Sequence, residues 1–476
     1  MMNIKSMSNI LAFYFFLLVC TINYNVQGIA YYTDTLNRSL QRNILKVPFF
    51  AANFSNFDLL HLNKNNKNIG IEFSGPETNA CLESVLKKIR AGKDINIVVL
   101  GGSSSLGADL GVTSQSQTFH AAFVSWWEEV VYPVTNSRLH KHTVTIGGIN
   151  TAYMSHCWRQ YVKGLVNIDI VFWEFFINDN FYNEYENDVK HFISSVLNYS
   201  TFKPALIFVK FSHVESFGKE LACAVPSLTS KKKSDVVKKS VELYGITAID
   251  MHSIICDNVK NGDVSLLKSN YFICHHPSHL AHAQMAYSII NYMRNIFVHL
   301  LNSGSSFIRD KNTFSNPIAN DEKGSLGNAQ CFTALLPSPN FPITTSIFHL
   351  PLLWDYGYRT RKQGKWDQSL SIRNDVRGGY VAKMPFSTIC FRLGELIRPR
   401  TVYLVISHQN TETPFFIIAT IKRTDGTILS RTFIDCSATA HPALSVELLI
   451  YNEKGSLLLQ IDDPVGKCLL NAIVID

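Results

Sequence analysis

Residues 95–111, which read INIVVLGGSSSLGADLG, constrain the fold of this chain more than any other segment. The opening residues are aliphatic except for Asn96, and such a run bounded by turn residues is typical of a buried strand in a parallel sheet. The run stops at Gly101 and Gly102, which permit a sharp turn. Ser103 then falls at the carboxyl edge of the sheet, where open α/β sheets build their sites. The segment therefore predicts an α/β fold with Ser103 as a candidate nucleophile.

Turns of this composition also have other functions. A glycine–serine turn after a strand also binds phosphate, or simply reverses the chain. The segment lacks the Lys of a P-loop, and Ser103 lacks the glycine spacing of a G-x-S-x-G elbow. The turn alone therefore leaves the simple structural interpretation open, and the rest of the chain has to decide.

Predicted strands and helices alternate from residue 76 to residue 302, which favours a parallel sheet covered by helices. Within this domain, Trp126 and Trp127 are interpreted as packing residues and not as a sugar-binding platform. The predicted helices are 78–90, 115–131, 152–164, 183–199, 231–244 and 275–301, and the strands after the first are 143–146, 169–175, 205–211 and 246–250.

The C-terminal third of the chain differs in its pattern of polar and apolar residues. A polar stretch at 303–330 is predicted to be a linker. Residues 331–476 are predicted to form a β-sandwich-like domain, because short apolar or alternating runs recur between turn residues such as Asp425-Gly426 and Lys454-Gly455. The runs are 401–407, 415–421, 427–433, 444–450 and 457–461. This domain has enough cysteines for two disulfides of its own.

The N-terminus predicts secretion. Lys5 precedes an apolar core at 10–20, so residues 1–28 are interpreted as a signal peptide. Residues 29–75 are predicted to be an irregular arm, and no later stretch is apolar enough to span a membrane. N-glycosylation sequons at Asn37, Asn53 and Asn198 agree with passage through the secretory pathway. The nine cysteines left after cleavage predict disulfides with at least one unpaired thiol.

Charge excludes one class of partner. The net charge of +7 is spread thinly along the chain. Its only dense run, Lys231-Lys232-Lys233, suits the solvated face of a helix, so no nucleic-acid partner is predicted. No C-x-x-C pair is present, which argues against a structural zinc held by cysteines.

Four residues together suit acyl transfer: three lie at the ends of predicted strands and one lies in a late loop. A serine needs a base to become nucleophilic, and His276 is the natural base for Ser103. The oxyanion of the tetrahedral intermediate needs hydrogen-bond donors. The backbone N–H groups of Ser103 and Gly148 and the side-chain amide of Asn178 are predicted to supply them.

This set of blocks resembles the SGNH (GDSL-type) hydrolase superfamily. The resemblance rests on GGSSSLG at 101–107, GGINTAY at 147–153, FIND at 176–179 and HHPSHLAH at 275–282, in the family's order. Gly102 stands where the family usually has Asp, and Phe176 replaces a Gly. The resemblance implies a three-layer flavodoxin-like domain and an ester-cleaving acyl-enzyme mechanism. It implies no metal and no cofactor.

One departure from the family pattern concerns the acid that orients the catalytic histidine. The family usually has Asp three residues before that histidine, and here the position is Ile273. An Asp there fixes the tautomer of the imidazole and stabilises the imidazolium. Three alternatives stay open: a backbone carbonyl holds His276, another carboxylate reaches it (Asp250, Asp257 or Asp263), or the site is inactive.

The remaining polar residues of the blocks receive structural interpretations. His275 is an alternative base in a shifted register. His279 and His282 are interpreted as structural or surface histidines, because Pro277 disrupts a regular helical face and no H-E-x-x-H motif is present. Asp179 is predicted to brace its loop. Ser104 and Ser105 are predicted to hydrogen-bond within the turn.

The predicted function is that of a secreted two-domain serine esterase acting on small esters or acylated glycans, with acetyl groups the first guess. An acyltransferase would use the same residues. In the alternative from another class, the α/β domain is catalytically inactive and residues 331–476 bind glycans or a protein partner; the missing Asp at Ile273 is its main support. The sequence leaves the oligomeric state open.

Overall fold

The chain folds into an α/β domain followed by an all-β domain in a computed structural model. The structure describes residues 35–44, 70–110, 117–179, 184–200, 202–212, 228–258, 271–273, 276–303, 330–333, 347–349, 354–359, 366–367, 377–382, 387–407, 409–410, 416–438, 444–463 and 469–476. The predicted signal peptide, the sequon at Asn53 and nearly all of the predicted linker lie outside these residues.

The α/β domain is built on a six-stranded sheet with the order β1-β6-β5-β4-β2-β3. All neighbours are parallel except β1, which pairs antiparallel with β6 at one edge. The strand order reverses at β2, and such switch points are where open α/β sheets form a crevice. The strands are β1 (Ile71–Phe73), β2 (Ile95–Gly101), β3 (Leu139–Thr145), β4 (Ile170–Glu174), β5 (Ala205–Lys210) and β6 (Thr247–Asp250).

Helices cover both faces of this sheet, which confirms the predicted fold class. Alternate residues of β2 enter two different apolar clusters: Ile97 and Val99 lie in one, Val98 and Leu100 in the other. The helices are α1 (35–44), α2 (Pro76–Arg90), α3 (Ser103–Leu106), α4 (Phe119–Trp126), α5 (Tyr132–Thr135), α6 (Thr151–Tyr161), α7 (Tyr185–Leu197), α8 (Leu228–Tyr244), α9 (Met251–Asn258) and α10 (His279–Ser303).

The helical layers contain a π-helical turn and a two-stranded ribbon. A single π-helical turn, Trp127–Val131, links α4 to α5. Trp126 and Trp127 are fully buried in the first cluster, so their interpretation as packing residues is confirmed. A two-stranded ribbon, β7 (Phe272–Ile273) with β8 (His276–Pro277), precedes α10.

The predicted irregular arm, 29–75, needs correction in two places. Residues 35–44 form helix α1, whose Leu40 and Ile44 are buried in the core beside α10. Residues 71–73 form β1, an edge strand of the sheet. The polar, Asn-rich composition hid both elements, because each contributes only a few apolar side chains to the core.

The second domain is a ten-stranded antiparallel sheet, which confirms the all-β prediction. Its strands are β9 (Gln330–Thr333), β10 (Ile347–His349), β11 (Trp354–Arg359), β12 (Trp366–Asp367), β13 (Arg377–Ala382), β14 (Ser387–Ser407), β16 (Phe416–Arg423), β17 (Ile428–Asp435), β19 (Leu444–Asp463) and β20 (Leu469–Ile475), with a small separate pair, β15 (Gln409–Asn410) and β18 (Ser437–Ala438).

The turn at Asp425-Gly426 joins β16 and β17 in a hairpin, as predicted. The predicted turn at Lys454-Gly455 does not divide the chain: it lies inside the long strand β19, paired with β14 through shifts of register. Gly455 has a φ of 113°, which is a local departure from regular strand geometry, and the strand continues beyond it.

The two domains share a core. Val405, Leu444 and Val474 of the β domain lie in the same apolar cluster as the helices on one face of the α/β sheet. A disulfide between Cys157 on α6 and Cys331 on β9 crosses the same junction. The prediction that the β domain keeps its cysteines for two disulfides of its own is therefore wrong. None of the described helices is long and apolar enough to cross a membrane.

Candidate active site

Ser103 begins α3 at the point where β2 ends. The preceding residue, Gly102, has an extended backbone and serves as the helix N-cap. Ser103 is half-buried, whereas Ser104 and Ser105 behind it are buried. Since the first N–H groups of a helix have no intrahelical acceptor, the N–H of Ser103 points out of the helix at the carboxyl edge of the sheet.

The predicted base lies next to this hydroxyl. His276 is the first residue of β8, and its Nε2 lies 2.8 Å from Ser103 Oγ. The two residues are far apart in the chain, so the sheet and the ribbon β7–β8 bring them together. His276 is mostly buried, with a side chain 10% exposed. This distance is within the reach a general base needs to take the proton of a serine hydroxyl.

The acid that contacts this histidine is Asp109, which sequence reasoning missed. Its Oδ2 lies 2.7 Å from Nδ1 of His276, on the opposite side of the ring from Ser103. The loop is folded back by left-handed backbone at Gly107 (φ 76°) and at Asp109 itself (φ 68°). Ala108 N–H donates to the carbonyl of Ser103, which ties this loop to α3.

The carboxylates considered from the sequence do not explain this contact. Asp250 pairs with Lys210 Nζ at 3.0 Å and caps the backbone of His252. The side chain of Asp257, like all of Asp263, lies outside the described residues. Ile273 faces His276 across the ribbon as its backbone partner. The signal for Asp109 was its place between two glycines of the nucleophile's own turn, since Asp tolerates the left-handed region.

Three predicted oxyanion donors come from three separate turns. A Cβ on Gly102 would lie 2.2 Å from Nδ2 of Asn178 and 3.7 Å from the carbonyl of Ile149, so the turns after β2, β3 and β4 meet at this residue. Gly148 adopts a φ of 69° in the second turn. Within the described residues, the N–H groups of Ser103 and Gly148 and the Asn178 amide have no protein acceptor.

Asp179 braces two of these turns, as predicted. Its carboxylate accepts hydrogen bonds from Thr151 N (2.7 Å), Thr151 Oγ1 (2.8 Å) and Tyr185 OH (3.0 Å). Lys233 Nζ donates to the carbonyl of Asp179 at 2.8 Å. Burial raises the pKa of Asp179, and these partners oppose the rise. The brace fixes the position of the adjacent Asn178.

Glu174, at the end of β4, lies fully buried beneath the nucleophile turn. Its Oε2 accepts hydrogen bonds from Ser105 Oγ (2.9 Å), Ser105 N (3.1 Å) and Gly102 N (3.2 Å). Burial raises the pKa of Glu174 to about 8, although these hydrogen bonds favour the ionised form. The turn that carries Ser103 therefore rests on a buried carboxyl that is mostly neutral at pH 7.

Replacing Glu174 with Gln is expected to flatten the pH dependence of stability. A carboxyl whose pKa is raised on folding contributes stability that is present below pH 4.5 and lost as the pH rises towards 8. The variant keeps the acceptor oxygen but cannot ionise. Between these pH values the wild type should lose stability as the pH rises, and the variant should not lose that contribution. The free energy of unfolding of the variant should therefore rise relative to that of the wild type, by at most about 1.4 kcal/mol per pH unit. Guanidinium unfolding at pH 5, 6.5 and 8 measures the difference, and equal slopes would contradict it.

Of the two other histidines of this block that the structure describes, His282 has a structural contact. His282 is buried and its Nδ1 accepts the N–H of Phe119 at 3.2 Å; burial lowers the pKa of His282 to about 3, so it is neutral. His279 is half-buried at the start of α10. His275 lies outside the described residues. The prediction that Ser105 hydrogen-bonds within its own turn needs correction, because its hydroxyl donates to Glu174 at the end of β4.

Comparison with known proteins supports the fold. No protein-family model matches the chain, and no curated protein matches it in sequence. Two solved structures of a two-domain esterase (CEX) active on acetylated mannans are similar to it, one co-crystallized with mannopentaose. Their TM-scores are 0.55 and 0.51 at 14% and 16% identity, and the matches cover 86% of this chain and 98% and 97% of theirs. The likeness shows the same arrangement of an α/β domain followed by an all-β domain.

Proposed function

We propose that this protein is a serine esterase of the SGNH type that hydrolyses O-acyl esters through a covalent acyl-enzyme. The observation that carries the proposal is the continuous contact from Ser103 Oγ through His276 to Asp109, at 2.8 and 2.7 Å. A nucleophile, a base and an orienting acid in this order are the parts that acyl transfer requires.

In the first half of the reaction, Ser103 Oγ attacks the ester carbonyl while His276 Nε2 takes its proton. Asp109 holds Nδ1–H of the ring, which keeps Nε2 free as the acceptor and stabilises the imidazolium that forms. His276 then gives the proton to the leaving alkoxide, and the acyl group stays on Ser103. In the second half, His276 activates water, which releases the acid and regenerates the serine.

The oxyanion forms beside the three donors that lack protein acceptors. The N–H groups of Ser103 and Gly148 and the amide of Asn178 would donate to it, and each such donor contributes more in the transition state than in the ground state. Asn178 is suited to this role because its backbone neighbour, Asp179, is hydrogen-bonded to α6 and α7.

The substrate class that we favour is O-acetylated glycans. The fold is that of a two-domain esterase whose own activity is on acetylated mannans, and the present site has the parts for the same chemistry. The alternative of an inactive binding module was motivated by Ile273; the contact between Asp109 and His276 favours catalysis instead. The disulfide and the predicted signal peptide support action outside the cell.

The test combines turnover with identification of the nucleophile. The purified protein is incubated with an aryl acetate and, separately, with acetylated manno-oligosaccharides, and released acetate is measured. A phosphonate probe should label one residue, Ser103, by peptide mass spectrometry. Acetate release from the aryl ester without labelling of Ser103, or no release from any ester, would contradict the proposal. Transfer of acetyl to an added alcohol in place of water would identify a transferase.

Enlarging Gly102 to Ala is expected to lower kcat without unfolding the protein. The added Cβ would meet the Asn178 amide at 2.2 Å, and that terminal group has to move aside. Displacing one oxyanion donor costs up to about 10²- to 10³-fold in kcat. An ester assay and thermal unfolding are compared with Asn178→Ala. A Gly102→Ala variant that keeps wild-type kcat would show that the Asn178 amide does not act on the oxyanion.

A further inference from the structure

Two histidines and one aspartate come together at the junction of the two domains. His156 is on α6, His191 on α7 and Asp476 directly after β20. Their ligand atoms all lie within 4.8 Å of one another, the only such group of three found among the described residues. The site therefore draws on three elements and on both domains.

The positions of the three side chains are set by the surrounding structure. His156 Nδ1 lies 3.0 Å from Asp476 Oδ2. The ring of Tyr403 packs on His156 at 4.8 Å between centroids, and the ring of His191 lies edge to face with it at 5.2 Å. Asp476 is anchored by a reciprocal pair of backbone hydrogen bonds with Thr401, both 2.9 Å long.

The two histidines differ in their hydrogen bonding. His156 bonds to the carboxylate, whereas the ring nitrogens of His191 have no hydrogen-bond partner among the described residues. His191 is half-buried. An imidazole in this place offers a lone pair that no donor among the described residues uses.

We infer that His156, His191 and Asp476 bind a divalent transition-metal ion, Zn²⁺ being the one that fits best, and that this ion clamps the β domain to the α/β domain. Two imidazoles and one carboxylate form a common three-ligand set for Zn²⁺, with water completing a tetrahedron. The inference does not depend on the proposed catalytic activity, since Ser103, His276 and Asp109 belong to another site.

The distances need only a small adjustment. With metal–ligand bonds of about 2.0–2.2 Å, tetrahedral ligand atoms lie roughly 3.3–3.6 Å apart. His156 Nδ1 and Asp476 Oδ2 are already at 3.0 Å, and all three ligand atoms lie within 4.8 Å of one another, so His191 has to approach by roughly 1.5 Å at most. Binding at Nδ1 needs the tautomer of His156 that carries its proton on Nε2, so the proton that Nδ1 shares with Asp476 would move to the other ring nitrogen and leave Nδ1 free for the metal.

The local charges do not oppose binding strongly. Burial acts to raise the pKa of Asp476, but the hydrogen bond with His156 and the nearby charge of Arg400 hold it below its usual range. The positive charge of Arg159 also acts on His191, and the guanidinium of Arg159 donates to the carbonyl of Ser195 at 3.0 Å. The adjacent disulfide Cys157–Cys331 already joins α6 to β9, which preorganises the cluster.

The experiment titrates Zn²⁺ into the chelator-treated, untagged full chain by calorimetry, and Co²⁺ in a parallel visible-absorption titration. One Zn²⁺ per chain is expected, with a rise in Tm of about 2–4 °C at saturating metal and a four-coordinate Co²⁺ spectrum. His191→Phe keeps the ring contact and removes the ligand, and it should weaken binding at least about 10-fold. Asp476→Asn should do the same.

The matched control is His140→Ala. His140 pairs with Asp94 at 2.9 Å on the surface, a histidine–carboxylate pair without a second histidine close enough to complete a three-ligand group. This variant should bind Zn²⁺ as the wild type does. No saturable binding by the wild type, or equal affinity in folded His191→Phe and wild type, would overturn the inference. Circular dichroism of each variant establishes that it is folded.

Discussion

Asp109→Asn is expected to lower kcat for ester hydrolysis by about 10³- to 10⁴-fold while the protein stays folded. An Asn side chain at this position can turn its amide towards Nδ1 of His276 and favour the wrong tautomer, in which Nε2 carries the proton. The base then has no lone pair for the proton of Ser103. Fold is preserved because Asn, like Asp, tolerates the left-handed backbone that position 109 adopts.

The measurement is the pH profile of kcat together with Tm for wild type and variant. Asp94→Asn is the matched control: Asp94 also contacts a histidine, His140 at 2.9 Å, but on the surface. It should leave kcat unchanged. If Asp109→Asn has wild-type kcat, the contact with His276 is structural and another group orients the imidazole.

Ser103→Ala and His276→Ala are each expected to reduce kcat by at least about 10⁴-fold, to the level left by binding and oxyanion contacts. The two residues act as a unit, since the hydroxyl is nucleophilic only while His276 accepts its proton at 2.8 Å. The double variant should therefore be about as slow as either single variant, and multiplied losses would show that they act separately.

Ser104→Ala is the control for this series. Ser104 follows the nucleophile directly, yet it is buried and faces away from the solvent. Its loss should change kcat by less than about 10-fold, the scale of a surface or packing effect and not of a lost nucleophile. Wild-type turnover in Ser103→Ala, or complete loss in Ser104→Ala, would mean that the nucleophile has been assigned to the wrong residue.

The sequence predicted the elements that depend on local pattern. The strand before Gly101 is apolar on both faces because both faces are buried, and the run of residues shows it directly. The pairing of Ser103 with His276 was predicted from the need of a nucleophilic serine for a base and from the resemblance of residues 275–282 to the last block of the SGNH superfamily. The two side chains lie in contact, although His276 belongs to the ribbon β7–β8 and not to a strand of the parallel sheet.

What the sequence could not predict depends on backbone conformation at single positions and on distant packing. Asp109 reaches His276 only because Gly107 and Asp109 adopt left-handed backbone, and no periodicity reports that choice. Lys454-Gly455 has turn composition, but the partner strand β14 keeps it in a strand. The pairing of Cys157 with Cys331 required knowing that α6 and β9 are neighbours.

The shared core between the domains changes what a truncation experiment can report. Leu444 and Val474 are buried against helices of the α/β domain, and the Asn150 amide donates to the carbonyl of Leu444 at 2.8 Å. Asn150 caps α6 directly beside the turn of Gly148. A fragment ending near residue 302 would expose that apolar face to water and loosen the cap. If such a fragment were inactive, the result would report damage to the α/β domain and not the loss of a function carried by the β domain alone.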